Sequence, residues 1–299
     1  MTSSPAIGVV DAPSLAERTS IRIGGRAIAE VSVEGRHGLE RLPETLKRLG
    51  GEARAFGRGS NILAADADLP LVLVRMAGRE DISVLGEEGD TVLVRVPGGM
   101  RLSTLLARAA ALKLSGLEGL AGIPGSVGGA VAMNAGSFGV EIGGLLRKAS
   151  VFSPDRGLVE VDAQDMALTY RHSAVQDATG LCLVHDVTLE LRPGNGEAVR
   201  EKMAACMLKK RQSQPLDAAS AGSAFKNPAP DAAAGKLLEE AGFKGKKLGG
   251  MAFSPLHANF LLNEGGGTCE AALELLNLAR EAVQRTSGQA LELEIRVWP

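Results

Sequence analysis

The chain has 299 residues, of which 45% are hydrophobic and 23% charged, and its formal net charge is −2. This is the composition of a globular protein long enough for two domains, with no excess of Lys and Arg that would indicate a nucleic acid partner. The N-terminus has no basic segment followed by a long apolar run, and no stretch approaches the length of a membrane span, so we expect neither a secretion signal nor membrane insertion. The three cysteines are far apart and odd in number, which favours reduced thiols and a cytoplasmic location.

Hydrophobic periodicity divides the chain into short strands and helices after an expected N-terminal tail over residues 1–16. Apolar residues at helical spacing predict helices over 37–49, 102–114, 197–212, 232–241 and 268–287. Short β-branched or alternating runs predict strands over 18–25, 27–33, 53–56, 71–76, 82–85, 92–96, 151–152, 158–161, 181–191 and 291–298. Thr268 is the expected cap of the last helix, and Gly288 its stop. The best linker candidate is the segment 193–196, where we place a domain boundary.

A glycine-rich turn follows the predicted strand over 53–56. Its residues are Gly57, Arg58, Gly59, Ser60, Asn61, Ile62 and Leu63. Backbone N–H groups in such a turn, together with a hydroxyl and an amide side chain, can hold a phosphate, although many turns of this kind bind nothing. The turn does not match the dinucleotide fingerprint G-x-G-x-x-G, and the chain contains no G-x-x-x-x-G-K-[ST] phosphate loop.

A second glycine-rich stretch, residues 116–141, dominates the middle of the chain. It carries almost no charge and keeps several apolar residues, which predicts a buried loop, because each glycine costs a helix roughly 1 kcal/mol relative to alanine. Successive bare N–H groups over residues 124–129 are expected to form a nest suited to phosphate. A tight packing crossover without any ligand is the alternative.

Several polar residues have both a plain and a functional interpretation. Arg171 beside the single tyrosine, Tyr170, has the features of a surface residue. Ser223 lies in a small-residue loop with neither a nearby histidine base nor a G-x-S-x-G elbow, so a hydrolase nucleophile is disfavoured. The lysine-rich loop over 244–250 is either a solvated turn or a clamp on a diphosphate. Glu294 is either an exposed strand residue paired with Arg296 or a functional acid.

The order of residues from Gly116, G-L-E-x-L-A-G-I-P-G-S-V-G-G-A-x-x-x-N-A-G, resembles the central signature of the UDP-N-acetylenolpyruvoylglucosamine reductase (MurB) family of flavoenzymes. The motifs G-x-G-S-N-x-L, Y-R-x-S, A-G-S-x-F-K-N-P and H-A-N-F extend the resemblance over most of the chain. It implies an α+β fold with a two-lobed FAD-binding domain of the vanillyl-alcohol oxidase (PCMH) type over 17–195, with lobes of about 17–80 and 81–195. A smaller αβ substrate-binding domain would follow over 196–299, its C-terminal strand returning to the active site.

The resemblance also implies the chemistry. FAD, held non-covalently, and NADPH as co-substrate would reduce UDP-N-acetylglucosamine enolpyruvate to UDP-N-acetylmuramate for peptidoglycan synthesis. Ser223 would be the proton donor, Arg171 would meet the charge of an enolate-like intermediate, and Glu294, carrying a proton, would donate a hydrogen bond to it. The implied cofactor-binding residues are Gly57, Arg58, Gly59, Ser60, Asn61, Ile62, Leu63, Gly122, Ile123, Pro124, Gly125, Ser126, Gly128, Gly129, Asn134 and Gly136. The implied substrate-binding residues are Tyr170, Gln214, Lys226, Asn227, His257, Asn259 and Glu264.

No metal is expected, and the protein is expected to be a monomer. Because the chain has one tyrosine, it resembles the form of the family that lacks an extra tyrosine-bearing loop. Two rival functions are an FAD oxidase of the same fold acting on a sugar or alcohol, and a non-catalytic protein that binds a UDP-sugar or flavin. Neither rival needs Ser223, Arg171 and Glu294 together.

Overall fold

The computed structural model describes residues 6–77 and 81–299. Part of the predicted N-terminal tail, residues 1–5, and the predicted boundary between the two lobes, near residue 80, lie outside the described residues. The helices are α1 (Leu15–Arg18), α2 (Gly35–Leu49), α3 (Leu102–Ala111), α4 (Val127–Ala132), α5 (Gly196–Ser213), α6 (Ala234–Glu240) and α7 (Cys269–Ser287). Single 3₁₀ turns occupy Glu118–Leu120, Ile142–Leu145, Ala163–Met166 and Ala174–Gln176.

The strands are short and spread over the whole chain. They are β1 (Ile7–Asp11), β2 (Ala27–Val33), β3 (Glu52–Ala55), β4 (Ile62–Ala64), β5 (Leu69–Met76), β6 (Ser83–Glu88), β7 (Thr91–Pro97), β8 (Leu114–Ser115), β9 (Gly136–Ser137), β10 (Val140–Glu141), β11 (Leu146–Ser153), β12 (Gly157–Asp162), β13 (Leu183–Pro193), β14 (Ser220–Ser223), β15 (Lys247–Leu248), β16 (Met251–Phe253), β17 (Phe260–Asn263) and β18 (Arg296–Trp298). The predicted hairpin over 151–161 is confirmed as the antiparallel pair β11 and β12.

The chain divides into two compact units, each assembled from three separate segments. Unit 1 consists of Met1–Asp11, Ile28–Arg58 and Pro70–Lys209, and unit 2 of Ala12–Ala27, Gly59–Leu69 and Lys210–Pro299. Two short N-terminal segments are therefore grouped with the C-terminal third. The domain boundary predicted between residues 195 and 196 stays a prediction. Each unit is made of discontinuous segments, so the division does not test a single boundary along the chain.

Unit 1 contains two large sheets besides the short antiparallel pair of β9 and β10. The first has the strand order β1-β2-β5-β3, with β1 antiparallel to β2 and β3 parallel to β5. The apolar face of α2 joins its core through Leu39 and Leu42, both buried together with Val31 and Val72. The second, antiparallel sheet has the order β12-β11-β13-β7-β6, and β8 pairs with the end of β13. Its core also receives α3, α4 and the apolar residues of the central stretch.

Unit 2 is built on the antiparallel sheet β14-β17-β16-β15 and on the parallel pair β18 and β4. Its core joins the buried face of α7 to Phe225, Phe243 and Phe253, and it also takes in Ile21 and Leu63 from the N-terminal segments. The predicted ends of α7 are confirmed. Its cap, Thr268, accepts a hydrogen bond from the Ala271 N–H, and Gly288, at φ 72°, ends the helix in the left-handed conformation that favours glycine.

The strand predicted over 18–25 is wrong. Ile21 and Ile23 are both buried, but Arg22 between them has φ 59°, which interrupts an extended run. The Asn263 side-chain amide donates to the Ile21 and Arg22 carbonyls at 3.1 and 3.3 Å. In a strand these carbonyls would accept from the backbone N–H groups of a neighbouring strand. The β-branched residues in this segment are therefore apolar because they are buried in unit 2, and they do not indicate an extended backbone.

Three other predictions need correction. The expected tail holds β1, which pairs with β2 along its whole length, and the start of α1. The terminal strand predicted over 291–298 is limited to β18, because residues before it make only an isolated bridge between Leu293 and Phe225. The loop predicted over 116–141 contains α4, since burial of Val127 and Val131 outweighs the low helix propensity of its two glycines.

Candidate active site

A cleft in unit 1 is formed where three glycine-rich turns meet. It encloses about 120 Å³ and is lined by the start of the first glycine-rich turn (Gly57 and Arg58), the turn between β7 and α3, and the start of α4. Of the predicted cofactor-binding residues, those at this cleft are Gly57, Arg58, Ser126, Gly128 and Gly129. Two glycines absent from that prediction, Gly98 and Gly99, also line it.

The glycines are required because main chain packs against main chain at the cleft. A side chain on Gly98 would collide with the Val184 carbonyl, and one on Gly99 would come within 2.6 Å of the Met76 carbonyl oxygen. A Cβ on Gly57 would lie 2.9 Å from the Ser126 hydroxyl oxygen. The walls are therefore mainly backbone, and they suit a flat or extended ligand that approaches closely.

Positive charge is concentrated at the same cleft. Partial desolvation lowers the pKa of the Arg58 guanidinium, and repulsion from Arg101 and Arg75 lowers it further. Arg75 is partly neutralised by the buried carboxylate of Glu30, at 3.2 Å from its Nη1 to Oε1. The remaining positive charge fits a ligand that carries phosphate groups, because guanidinium groups bind phosphate oxygens with paired donors.

Three of the five N–H groups in the nest predicted over residues 124–129 already have partners within the protein. The N–H groups of Val127 and Gly128 donate to the Met100 and Gly98 carbonyls at 2.9 and 2.8 Å, and the Gly129 N–H donates to the Ser126 hydroxyl. The first two bonds fix α4 on the turn between β7 and α3, and the third caps the start of α4. The central stretch therefore lets a ligand in the cleft come close to its backbone, but it does not offer these three N–H groups as donors.

Arg171 lies at the tip of a tight turn in unit 1. Thr169 and His172 exchange two backbone hydrogen bonds of 3.1 Å, and Tyr170 and Arg171 form the turn between them. Arg171 has φ 56°, a backbone conformation that costs a non-glycine residue on the order of 1–3 kcal/mol. Its guanidinium donates to the Gly136 carbonyl at 3.0 Å and lies over the Tyr170 ring at 4.9 Å. The turn is thus joined to the end of the central stretch.

The remaining predicted cofactor residues are distributed over both units. Gly122, Ile123, Pro124 and Gly125 lead into α4, Asn134 and Gly136 follow it, and Gly59, Ser60, Asn61, Ile62 and Leu63 belong to unit 2. The side chain of Asn134 is buried and bonded within unit 1. Its position is therefore that of a structural support.

Ser223 and Glu294 are brought close together in unit 2. The Glu294 N–H donates to the carbonyl of Ala224, the neighbour of Ser223, at 2.8 Å. Asn61 joins the same group, since its amide donates to the Glu294 carbonyl at 3.1 Å and its own carbonyl accepts from the Arg296 N–H at 2.9 Å. Two predicted catalytic residues from distant parts of the sequence thus lie on neighbouring segments.

Three of the predicted substrate-binding residues have structural contacts. The Asn227 side chain accepts from the Ala234 N–H at 3.0 Å, and that of Asn259 exchanges two hydrogen bonds with the Phe225 backbone. His257 stacks edge-on against Phe260, and burial lowers the pKa of its imidazole, which favours the neutral form. These contacts hold the loops that carry Ser223 and α6 in place.

Of the other four predicted substrate-binding residues, Tyr170 and Glu264 are exposed and Gln214 and Lys226 are half-buried. The Lys226 ammonium lies 3.5 Å from the Glu292 carboxylate, and Glu264 is paired with Lys247 at 2.6 Å. Tyr170 is 43% exposed. Gln214 follows α5, where its N–H donates to the Lys210 carbonyl.

A protein from Nitratidesulfovibrio vulgaris named UDP-N-acetylenolpyruvoylglucosamine reductase is 50% identical to this chain over 289 residues, which cover 97% of the chain and 98% of the relative. The chain belongs to the UDP-N-acetylenolpyruvoylglucosamine reductase family. A relative of the same name from Oleidesulfovibrio alaskensis is 48% identical over 97% of the chain and 98% of its own length.

Two family models and a solved structure agree with this assignment. The model described as the C-terminal domain of UDP-N-acetylenolpyruvoylglucosamine reductase matches residues 214–298, and the one described as an FAD binding domain matches 39–153. The crystal structure of UDP-N-acetylenolpyruvylglucosamine reductase (MurB) from Thermus caldophilus aligns with a TM-score of 0.80 at 34% identity, over 98% of this chain and 99% of that one. The predicted family and the FAD-binding fold with a C-terminal domain are confirmed.

Sequence reasoning missed part of the cleft in this member of the family. Gly98 and Gly99 follow the predicted strand over 92–96 and precede the predicted helix over 102–114. A third glycine-containing turn between a strand and a helix was the signal that could have identified them. Arg75 and Arg101 stand alone at the end of a strand and the start of a helix, and no local pattern marks them. Only the packing of the two sheets of unit 1 brings them near Arg58.

Within residues 6–77 and 81–299, no group of three or more His, Cys, Asp and Glu side chains is arranged to hold a metal ion. In the same part of the chain, no helix has both the length and the apolarity needed to cross a bilayer.

Proposed function

We propose that the protein is an FAD-dependent reductase that uses NADPH to reduce UDP-N-acetylglucosamine enolpyruvate to UDP-N-acetylmuramate, a step in the synthesis of peptidoglycan precursors. The observation that carries the proposal is the pairing of the Ser223 segment with the Glu294 segment, through the 2.8 Å bond from the Glu294 N–H to the Ala224 carbonyl, in a member of this family. The enzyme acts as a cytoplasmic monomer of the form without the tyrosine-bearing loop.

The cleft of unit 1 is suited to the diphosphate of FAD. Arg58, Arg75 and Arg101 supply the positive charge that a diphosphate needs, and the glycine walls allow it to approach the main chain. When bound, FAD supplies the hydride that is added to the β-carbon of the enolpyruvyl group. The residues of this chain bind the cofactor, orient the substrate and supply a proton.

Arg171 meets the negative charge that builds up on the substrate carboxylate. Its guanidinium is permanently charged and presents donors in a fixed fork, which is suited to a carboxylate. Glu294 carries a proton and donates a second hydrogen bond to the same charge, because an ionised carboxylate there would repel it. Preorganised donors of this kind lower the barrier because they do not have to reorient during the reaction.

Ser223 donates the proton to the α-carbon. A serine hydroxyl is a weak acid in water, but an enolate-like carbon is a strong base and a site that excludes water makes the transfer feasible. Lys226, Asn227, Gln214 and Glu264 bind the nucleotide part of the substrate, and His257 and Asn259 support the neighbouring loops.

The proposal is tested with the purified protein and its visible spectrum. NADPH added without oxygen is expected to bleach a flavin band, and the enolpyruvyl UDP-sugar is expected to restore it. A protein that cannot be loaded with FAD would contradict the cofactor assignment and favour a protein that only binds a UDP-sugar. A reduced flavin that is reoxidised by oxygen and not by the enolpyruvyl UDP-sugar would favour an oxidase.

A further inference from the structure

Asn134 is a buried polar residue that lies between the central stretch and the turn carrying Arg171. It is 3% exposed, follows the C-terminal end of α4, and has φ 39°, a left-handed conformation that asparagine adopts more readily than most residues. The resemblance to the family suggested a contact with the cofactor. The bonds of its side chain point to another role.

The Asn134 side chain joins three segments of unit 1. Its amide nitrogen donates to the Thr169 carbonyl at 2.9 Å and to the Glu141 carboxylate at 3.2 Å, and its amide oxygen accepts from the Gly143 N–H at 3.0 Å. Gly143 has no room for a side chain, because a Cβ there would lie 2.6 Å from that oxygen. Both amide atoms are therefore committed to the protein.

The bond to Thr169 acts directly on the turn. The Thr169 carbonyl already accepts the His172 N–H that closes the turn, so Asn134 occupies its second acceptor position. Together the two bonds fix the orientation of the peptide group that precedes Tyr170. That orientation decides the direction in which Arg171 leaves the turn.

Two neighbours of the turn are held by the same end of α4. The buried Ser173 hydroxyl donates to the Ala132 carbonyl at 2.8 Å, and the Gln176 amide donates to the Ala132 and Arg171 carbonyls. The left-handed conformation of Arg171 is unfavourable by itself and persists where its surroundings determine it. The end of α4 supplies those surroundings.

We propose that Asn134 is a positioning residue for Arg171: it holds the turn over 169–172 so that the guanidinium points at the substrate carboxylate. The inference rests on the proposed function, in which Arg171 stabilises the charge formed on the substrate. Asn134 acts on the half-reaction that oxidises the flavin with the enolpyruvyl substrate and leaves flavin reduction by NADPH unaffected.

The decisive variant is the double substitution Asn134→Asp with Glu141→Gln. The new aspartate can still accept from the Gly143 N–H, and the new glutamine can donate to it, so the pair keeps its hydrogen bond and its net charge. The donor to the Thr169 carbonyl is lost, and a carboxylate oxygen faces that carbonyl in its place. The single substitution Asn134→Asp, by contrast, places two carboxylates side by side and lowers stability as well.

Three measurements on the FAD-loaded full chain test the proposal. We expect the double variant to melt below the wild-type temperature, because its carboxylate now lies at a buried position, and still to reduce its flavin with NADPH at the wild-type rate. Its reoxidation by the enolpyruvyl UDP-sugar should be slower on the order of 10- to 100-fold, the effect of a misplaced catalytic group. Hydrogen exchange at the Thr169 and His172 amides should be faster than in the wild type.

A matched control separates positioning from stability. Val94→Ala removes buried volume from a strand of the same unit without touching the turn, so it should lower the melting temperature and leave both half-reactions unchanged. Wild-type reoxidation or unchanged amide exchange in the double variant would overturn the proposal. If the wild type itself is not reoxidised by the enolpyruvyl UDP-sugar, the proposed function fails, and amide exchange still decides whether Asn134 holds the turn.

Discussion

At the scale of single residues, Ser223 and Glu294, both proposed to act on the enolpyruvyl group, lie on two short segments whose backbones are paired. The Ala224 carbonyl accepts the Glu294 N–H, and the Glu292 carbonyl accepts the Lys226 N–H at 2.9 Å. Main-chain bonds fix the spacing of the two segments more firmly than flexible side chains would. The proton donor and the hydrogen-bond donor are therefore held in register before the substrate arrives, as preorganisation requires.

Ser223→Ala is expected to separate the two half-reactions. Removing the hydroxyl takes away the proton for the α-carbon, so reoxidation of the flavin by the enolpyruvyl substrate should slow by about 10²–10⁴-fold, while its reduction by NADPH is unchanged. Stopped-flow absorbance of the flavin measures both rates. The exposed Ser287, changed to Ala, is the matched control in the same unit. Equal loss in both half-reactions would show that Ser223 has another role.

Glu294→Gln is expected to keep much of the activity that Glu294→Ala loses. A glutamine amide can still donate a hydrogen bond to the charged substrate carboxylate, and it cannot titrate. Stopped-flow absorbance of the flavin measures the rate of reoxidation in both variants. A Gln variant as inactive as the Ala variant would indicate that Glu294 transfers a proton itself.

At the scale of elements, the cleft depends on the contact between the turn after β7, the start of α4 and strand β13. Gly98 is the common point, because its N–H donates to the His185 carbonyl and its carbonyl accepts from the Gly128 N–H, both at 2.8 Å. Glycine there permits a close approach of three backbones. The low helix propensity of α4 is thus offset by contacts that only this packing provides.

Gly98→Ala is expected to destabilise unit 1 and weaken FAD binding. Its Cβ would meet the Val184 carbonyl, which cannot move without displacing β13, and overpacking of this kind costs roughly 1–3 kcal/mol. Gly144→Ala is the matched control, since a Cβ there meets nothing within 4 Å. Thermal melting and FAD titration of both variants measure the effect. Equal melting temperatures and equal FAD affinities in the two variants would show that the close backbone contact at Gly98 is not required.

At the scale of the whole molecule, unit 2 depends on residues that lie far away in the sequence. Ile21, Ile23 and Leu63 belong to its apolar core, and β4 pairs with β18 next to the C-terminus. The Ser20 hydroxyl also donates to the Ser220 carbonyl, 200 residues away. The C-terminal third of the chain therefore lacks part of its own core.

A fragment comprising residues 196–299 is expected not to fold by itself. Without Ile21, Ile23 and Leu63 its core has a gap, and each missing side chain of this size removes on the order of 2–5 kcal/mol, comparable to the stability of a whole domain. Circular dichroism and a thermal melt of the fragment test this, with the full chain as control. A cooperative melt of the fragment would instead support an independent domain that begins after residue 195.

The sequence by itself determined the features that depend on neighbours along the chain. The spacing of apolar residues located α2 and α7, the residues Thr268 and Gly288 marked the ends of α7, and the order of residues in the central stretch identified the family. These features are decided by contacts within a few turns or by matching consecutive residues. They can therefore be recognised before any fold is known.

The tertiary structure alone decided the features that join distant segments. It placed Ile21 and Ile23 in a core without a strand, made a helix of the glycine-rich α4, and gathered the arginines around Arg58. Asn134 became a support for the Arg171 turn, 35 residues further along the chain. The physical reason is that burial, close backbone approach and charge clustering depend on distances in space, which local periodicity does not contain.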